Sequence, residues 1–475
     1  MTTTDQGTPE DGTDRALREL RTRLAGTLVE PGDADYDRAR RVWNRRIDVR
    51  PRALARAGSL DDIDPVLAAA QRLRLPLAVR SGGHGVAGHG TVEGGLVLDL
   101  GRLRDVVVDP ANQLVSVGPG TTVADLGRAT ARHGLAVPVG AVGAAGVAGL
   151  ALGGGMGWLI RSSGLTLDNL DSADVVTAAG DHLHASEEEN AELFWGLRGG
   201  GGNFGVASSL TFRARRLPSL VLTGHLFYRR PRWHDALGAF ARWSHGLPDE
   251  MNPVVTFALP RPGAGLEDEP WMDVGFCWTS QDHGAGLDLV DELRATAPPD
   301  AEDAGRTPWP VWQSVRDGDF PKGSSGHWQN LPLGRLDEQA VDVLAGLAAE
   351  ITDPGTGIDV HHLEGAFGRV PEEATAFPNR SARYWLTVHD VRQEVVDDDR
   401  LAAFPRAVHD AMQPFAEHGQ YVNLLGPEPG PGPEPAEAAR RAYGREKLQR
   451  LVRLKDRYDP GNLFRSNVNV PPGAG

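Results

Sequence analysis

The chain of 475 residues contains a single cysteine, Cys277. One thiol excludes an intramolecular disulfide framework and a thiolate metal cluster, so the chemistry has to come from other groups or from a cofactor. No run of eighteen or more apolar residues occurs, and the opening MTTTDQGTPEDGTDR has neither the basic segment nor the apolar core of a secretory leader. This predicts a cytoplasmic protein without a membrane partner, with a disordered first dozen or so residues. Positive charge is also scarce: 49 Lys and Arg stand against 64 Asp and Glu, a net charge of -15. Nucleic acid is therefore not an expected partner, because phosphate neutralisation asks for a concentrated basic surface. GxxxxGK[ST] and HExxH are missing, and Ser162 and Ser163 lie in no nucleophile-elbow motif, which removes the common nucleotide-hydrolase, zinc-protease and esterase readings.

Glycine, in contrast, is abundant: 59 residues, against an ordinary share of roughly 7%. Much of the excess sits in three clusters, VRSGGHGVAGHG (79–90), GAVGAAGVAGLALGGGMGWLIRSSGLTLDNL (140–170) and FWGLRGGGGNFGV (194–206). Such density places backbone directly against something. GGGMG lacks the clean preceding strand of a dinucleotide fingerprint. Three loops in one region nevertheless suit a long ligand with a phosphate bridge and flat rings, such as FAD, because bare amides can donate to phosphates and ring carbonyls. His84 and His89 would need a third ligand to hold a metal, with His361 and His362 the adjacent candidates, and no metal is expected on spacing alone.

Around these clusters, SLDDIDPVLAAAQRLRL (59–75) predicts a capped helix, PLAVR a short buried strand entering the first loop, and TTVADLGRATARHG a second capped helix. GGLVLDL, VVVD, QLVSVGPG and LAVPVG read as short strands. After about Arg216 the segments LVLTGHLFYR, PVVTFALP and MDVGFCW and the helix RLDEQAVDVLAGLAAEIT (335–352) predict a second domain of antiparallel sheet and helices. GPEPGPGPEPAEA (426–438) is an extended connector, followed by a basic helix and a DPGN turn.

RSGGH (80–84), GGLVLDL (94–100), GVAGLALGGGMGWLIRSSGLTLDNL (146–170), LFWGLRGGGGNFGV (193–206), YVN (421–423) and YDPGNLF (458–464) jointly resemble the FAD-linked oxidases of the vanillyl-alcohol oxidase fold, particularly the berberine-bridge-enzyme-like branch. The resemblance implies an α+β fold: a two-part PCMH-type FAD-binding domain with an inserted substrate domain of antiparallel sheet plus helices. The expected boundaries are a tail and first helix at 1–29, the FAD domain at 30–216, the substrate domain at 217–420 and a returning segment at 421–475. AFPNR (376–380) is the one loosely matching stretch of the middle.

The resemblance further implies that His84 is bonded to the flavin 8α-methyl, an imidazole being a suitable nucleophile for an electrophilic quinone-methide form of that ring. Val142 stands where many relatives carry a second, cysteinyl tether, so FAD is expected to be held through His84 only. Val147 resembles a position where a small residue admits oxygen, which favours an oxidase. The cofactor wall is expected to comprise Arg80, Ser81, Gly82, Gly83, Gly85, Gly88 and His89, then Ala141, Val142, Gly146, Val147, Gly149, Gly154 and Gly157, with Val206, Asn423 and Asn462. Tyr421 aligns with a tyrosine acting as base on a substrate hydroxyl, with Asn423 on the same face of a strand. Packing at a domain junction is the plainer role for it.

Tyr384 and His389, the further candidate catalytic groups, lie on one strand, where period-two geometry puts Tyr384, Leu386 and Val388 on one face and Trp385, Thr387 and His389 on the other, so only one set can meet a pocket. Trp195 and Phe204 are expected to be core. The implied reaction is hydride transfer from a small or natural-product substrate, of alcohol, sugar or polyketide type, to FAD, with molecular oxygen as second substrate and hydrogen peroxide as product. A flavin amine oxidase like the hydroxynicotine oxidases, and a flavin-carrying binding protein without turnover, are the other readings.

Overall fold

The computed structural model describes residues 12–260, 269–394, 396–426 and 434–473; most of the expected N-terminal tail and the centre of the proline-rich connector lie outside these residues. Three sheets carry the fold. A four-stranded sheet is ordered Thr27–Val29, Ala53–Arg56, Leu96–Asp99, Leu77–Arg80, with parallel pairing among the last three. The helix Ile63–Leu73 connects two of these strands and ends at Arg74, whose positive φ of 54° reverses the chain. Parallel strands need such a crossover. The strand Leu77–Arg80 therefore delivers the first glycine cluster at its C-terminal end.

The second sheet is antiparallel, in the order Val106–Asp109, Leu114–Val117, Val206–Arg213, Leu170–Val176, His182–Ala185. The expected helix after its first two strands forms as Val123–Ala131 and opens with a capping box in which Thr122 and Asp125 satisfy each other's backbone N–H groups. LAVPVG pairs only over Leu135–Ala136. Trp195 and Phe204 are buried in the core between this sheet and the C-terminal helix Pro435–Tyr458, as the sequence suggested.

The middle of the chain forms one seven-stranded antiparallel sheet, in the order Ala301–Pro308, Leu220–Tyr228, Trp271–Trp278, Met251–Ala258, Thr356–His362, Tyr384–Arg392, Ser325–Leu333. One face is apolar, with Val255, Phe257, Val274, Phe276, Leu386 and Val388 packed in a core shared with the helices Trp233–Trp243, Glu338–Ala348 and Asp398–Met412. The opposite face carries a polar row, since Thr387 pairs across Asp359 and Asp359 across Thr256, which in turn faces Asp273. The α+β architecture with an inserted antiparallel sheet is thus what the chain adopts.

The tail returns because it is tied there. Lys455 and Asp459 form a fully buried ion pair at 2.7 Å. The Lys455 ammonium donates to the carbonyls of Asn203 and Phe464, while the Asp459 carboxylate accepts the N–H groups of Leu463 and Phe464. Both charges are compensated, which is the condition for keeping them out of water. The third glycine loop and the DPGN turn are thereby locked together. Among the described residues no helix is long and apolar enough to cross a membrane.

Candidate functional site

The three glycine clusters, the C-terminal segment and the polar face of the large sheet enclose one cavity of about 410 Å³. Its glycines fall into two physical classes. In the first, the missing side chain makes room for protein. A Cβ on Gly82 would lie 2.5 Å from the Gly146 backbone nitrogen, so the first two loops cross in backbone contact. A Cβ on Gly154 would lie 2.6 Å from the Tyr421 ring, and one on Gly153 would strike the Asn423 amide. GGGMG is thus the seat on which YVN rests. In the second class, Gly85, Gly149, Gly201 and Gly202 line the cavity, and a Cβ on any of them would meet nothing within 4 Å. That bare wall is space left for a group that is not protein.

His84 and His89 both line the cavity. Burial pushes each imidazole down to about 4, so both are neutral at physiological pH. His84 Nε2 is buried and has no hydrogen-bond partner among the described residues. The ring stacks instead on Trp43, with centroids 5.0 Å apart and planes at 27°. Arg80 is also in the wall, but its guanidinium is committed to the loop itself, donating to the Gly90 carbonyl at 2.8 Å and the Ala39 carbonyl at 2.6 Å. Ser466 of the tail closes the loop from the other side by donating to the His89 carbonyl.

Tyr421 is 2% exposed and lines the cavity. Its oxygen accepts from the Gly155 N–H at 2.8 Å and from the Asn423 amide at 3.0 Å. Burial raises the phenol above its usual pKa, and the donors from Asn423, Gly155 and Met156 partly offset this. Two acceptor positions are filled, so the one position of the oxygen left for a substrate hydroxyl is the one that the phenol's own proton occupies. Asn330 of the inserted sheet holds this segment, donating to the carbonyls of Tyr421 and Leu424 and accepting the Tyr421 N–H.

Several expected site residues stand elsewhere. Tyr384 faces the helical side of its strand and bonds Ser244 at 2.7 Å inside the apolar core, so it does not reach the cavity. His389 is on the cavity side but lies one layer behind, stacked on Trp328 and 3.8 Å from Asp359. Asn423 sits in a short helical turn, Val422–Leu424, not in a strand. Its amide nitrogen is spent on Tyr421 and the Leu150 carbonyl, not on a ligand. Gly88, Val147 and Gly154 are off the wall: Gly88 packs on Ile47, Val147 starts the helix Val147–Gly153 inside the core, and Gly154 carries Tyr421. Asn462, with φ 50°, makes the DPGN turn and borders a separate cavity against the end of the helix Ile63–Leu73 and the turn at 177–181. Arg80, Ser81, Gly82, Gly83, His84, Gly85, His89, Ala141, Val142, Gly146, Gly149, Gly157, Val206, Tyr421 and Asn423 do line the main cavity.

No sequence motif marks the wall opposite the glycine loops. It includes Arg316, Phe320, Trp328, Asp359, His361 and Thr387. Arg316 donates to both oxygens of Asp359, at 2.9 and 3.3 Å, and Thr256 donates to the same carboxylate at 2.7 Å. Burial alone would raise the Asp359 pKa, but Arg316, His389 and His361 outweigh it and hold the carboxylate well below the usual range. The alternation of Asp359 and His361 in TGIDVHH was the available signal; it is readable only once the opposite face is known to be apolar. Among the described residues no group of three His, Cys, Asp or Glu side chains could hold a metal. His362 points the other way and is buried against Glu364 at 3.1 Å.

Burial pulls His362 down to about 4, against the opposing bond to Glu364. A histidine depressed from 6.5 takes up protons in the unfolded chain first, so its stability contribution is present above about pH 6.5 and is lost as the pH falls toward about 4. Thermal melts should therefore show a melting temperature that drops steadily through this window. A flat profile between pH 6.5 and 4 contradicts the assignment.

A family model described as FAD binding domain matches residues 51–186, and one described as berberine and berberine like matches residues 420–471. The xylooligosaccharide oxidase of Thermothelomyces thermophilus is 34% identical over 90% of this chain and 89% of its own length. The (R)-6-hydroxynicotine oxidase of Paenarthrobacter nicotinovorans is 28% identical over 94% of this chain and 97% of its own. Among solved structures, the glucooligosaccharide oxidase of Acremonium strictum, described with a 6-S-cysteinyl, 8α-N1-histidyl FAD, superposes with a TM-score of 0.85 at 22% identity, covering 98% of this chain and 100% of that one. A bare glycine wall, an imidazole nitrogen without a hydrogen-bond partner among the described residues and a buried phenol on one cavity fit a flavin, and the chain belongs to the berberine-bridge-enzyme-like family of FAD-linked oxidoreductases.

Proposed function

We propose that the protein is an oxidase that takes a hydride from a carbinol or sugar hemiacetal carbon and holds its FAD covalently through His84 alone. The observation that carries the reading is the Tyr421 hydroxyl, fixed by the Gly155 N–H and the Asn423 amide on the cavity wall. Two donors on the phenol oxygen stabilise its phenolate, and this deprotonated form, with one position still open, is the one that can accept a substrate hydroxyl proton. Because burial keeps its pKa high, the proton has to move together with the departing hydride.

FAD, when bound, would supply the hydride acceptor, with molecular oxygen as the oxidant that takes up the electron pair as hydrogen peroxide. Trp158, Trp328 and Phe320 shape the apolar part of the cavity, while Thr387, His361 and the Arg316–Asp359 pair offer hydrogen bonds suited to a polyhydroxylated molecule. Val142, where a cysteine would add a second bond, carries no nucleophile. The similarity to a xylooligosaccharide oxidase points the same way.

Anaerobic mixing with a panel of mono- and oligosaccharides, simple alcohols and polyketide alcohols tests the reaction: at least one should bleach the flavin, and aeration should then release peroxide in equal amount. Bleaching by cyclic amines alone would replace this reading with that of the hydroxynicotine oxidase relative. Acid precipitation tests the attachment. The pellet should be yellow with an FAD adduct on His84, and His84→Ala should release all of its flavin to the supernatant.

A further inference from the structure

Trp43 lies in RVWNRR, ahead of the first glycine loop and outside every motif that marks the site. It is 3% exposed and touches the loop in two ways. Its backbone N–H donates to the Gly83 carbonyl at 2.8 Å, and its indole covers the His84 imidazole face to face. The indole N–H donates to the Phe320 carbonyl at 3.0 Å, and Trp328 of the inserted sheet meets the same indole edge-on, 5.4 Å away at 68°. Asn44 repeats the bridge: its amide donates to the Val86 carbonyl at 2.7 Å and the Gly326 carbonyl at 2.9 Å, and its oxygen accepts the Gly326 N–H at 3.1 Å. The dipeptide thus joins the His84 loop to the strand Ser325–Leu333.

His84 itself stands among Gly82, Gly83 and Gly85, which give its ring no side-chain walls. Its Nε2 has no hydrogen-bond partner among the described residues. An attacking atom has to be held about 3–3.5 Å from its target and in line with it, and an error of about 1 Å can cost 10²-fold. A stacked indole restricts the imidazole plane without occupying the in-plane lone pair that has to react.

We propose that Trp43, backed by Trp328, is the positioning residue that orients His84 for bonding to the flavin, so that attachment follows docking of the inserted sheet on the first glycine loop. This rests on the reading that His84 is the covalent anchor. In the step itself one imidazole N–H bond and one C–H bond of the 8α-methyl break and an N–C bond forms. The two hydrogens and their electron pair reduce the flavin to its dihydro form, and dioxygen restores it and leaves as hydrogen peroxide.

The test compares wild type with Trp43→Leu and Trp43→Phe, measuring FAD per chain before acid precipitation and the share retained by the pellet afterwards. The pellet share is followed over hours with added FAD. Trp43→Leu should bind FAD near stoichiometrically yet attach it at least tenfold more slowly, and Trp43→Phe, which keeps a flat ring, should recover most of the rate. Trp328→Leu, which removes the ring behind Trp43 together with part of the cavity wall, should show an intermediate loss of attachment rate per bound FAD; it and Trp43→Met stand in should Trp43→Leu not fold. Attachment at the wild-type rate in a folded Trp43→Leu or Trp43→Met chain overturns the role of Trp43 while leaving His84 as anchor. Release of FAD from the wild-type protein overturns the anchor itself.

Discussion

Tyr421→Phe is expected to leave FAD content near wild type and to slow flavin reduction by a hydroxyl-bearing substrate about 10²- to 10⁴-fold, the usual range for loss of a positioned acid or base. The substitution deletes one oxygen and nothing else from a ring held by Phe377 and Trp385 at 5.9 and 6.3 Å. It also strands the Gly155 N–H and one Asn423 donor, so a stability loss of about 1–3 kcal/mol accompanies it. The two effects are separable, because stability is read from a melt and chemistry from anaerobic stopped-flow traces. An amine substrate that arrives neutral needs no hydroxyl base. Unchanged reduction in Tyr421→Phe would therefore remove the proposed base and favour amine oxidation.

Gly82→Ala should abolish FAD binding, to below about a tenth of wild-type content. The new Cβ would stand 2.5 Å from the Gly146 nitrogen and 2.9 Å from its Cα, and neither atom can swing aside as a side chain would. The two loops have to part, at the 1–3 kcal/mol typical of overpacking, and parting them reshapes the wall on which His84 and Gly149 stand. Gly202→Ala is the matched control. Its Cβ meets no protein atom within 4 Å, so the flavin-free protein should melt as wild type does, with FAD binding weakened by intrusion into the cavity. Equal FAD content in Gly82→Ala and wild type would show that the loop crossing is not what shapes the wall.

The local elements were legible because their causes are local. The strand Leu77–Arg80 running into glycine, the capped helix Val123–Ala131 and the core positions of Trp195 and Phe204 follow from periodicity, caps and composition within a few residues. The glycine clusters announced close approach, and the ordered motifs carried His84 and Tyr421. Period two in Tyr384–Arg392 reduced the choice to two faces but could not make it, since both faces contain buried side chains. Packing of helices on the Leu386 side turned Tyr384 inward to Ser244 and left Thr387 on the cavity.

By itself, then, the sequence determined the fold class and the flavin family, because these are written in contiguous motifs, and it singled out His84 as the proposed anchor. Tertiary structure alone decided which glycines meet protein and which meet the cofactor space. It also placed Asp359, Arg316 and Thr387 opposite the flavin loops and set Trp43 on His84. Those contacts join segments up to hundreds of residues apart, Trp43 to Phe320 and Gly155 to Tyr421 among them. No local pattern encodes such a pairing, because it exists only when separately folded surfaces bury one another.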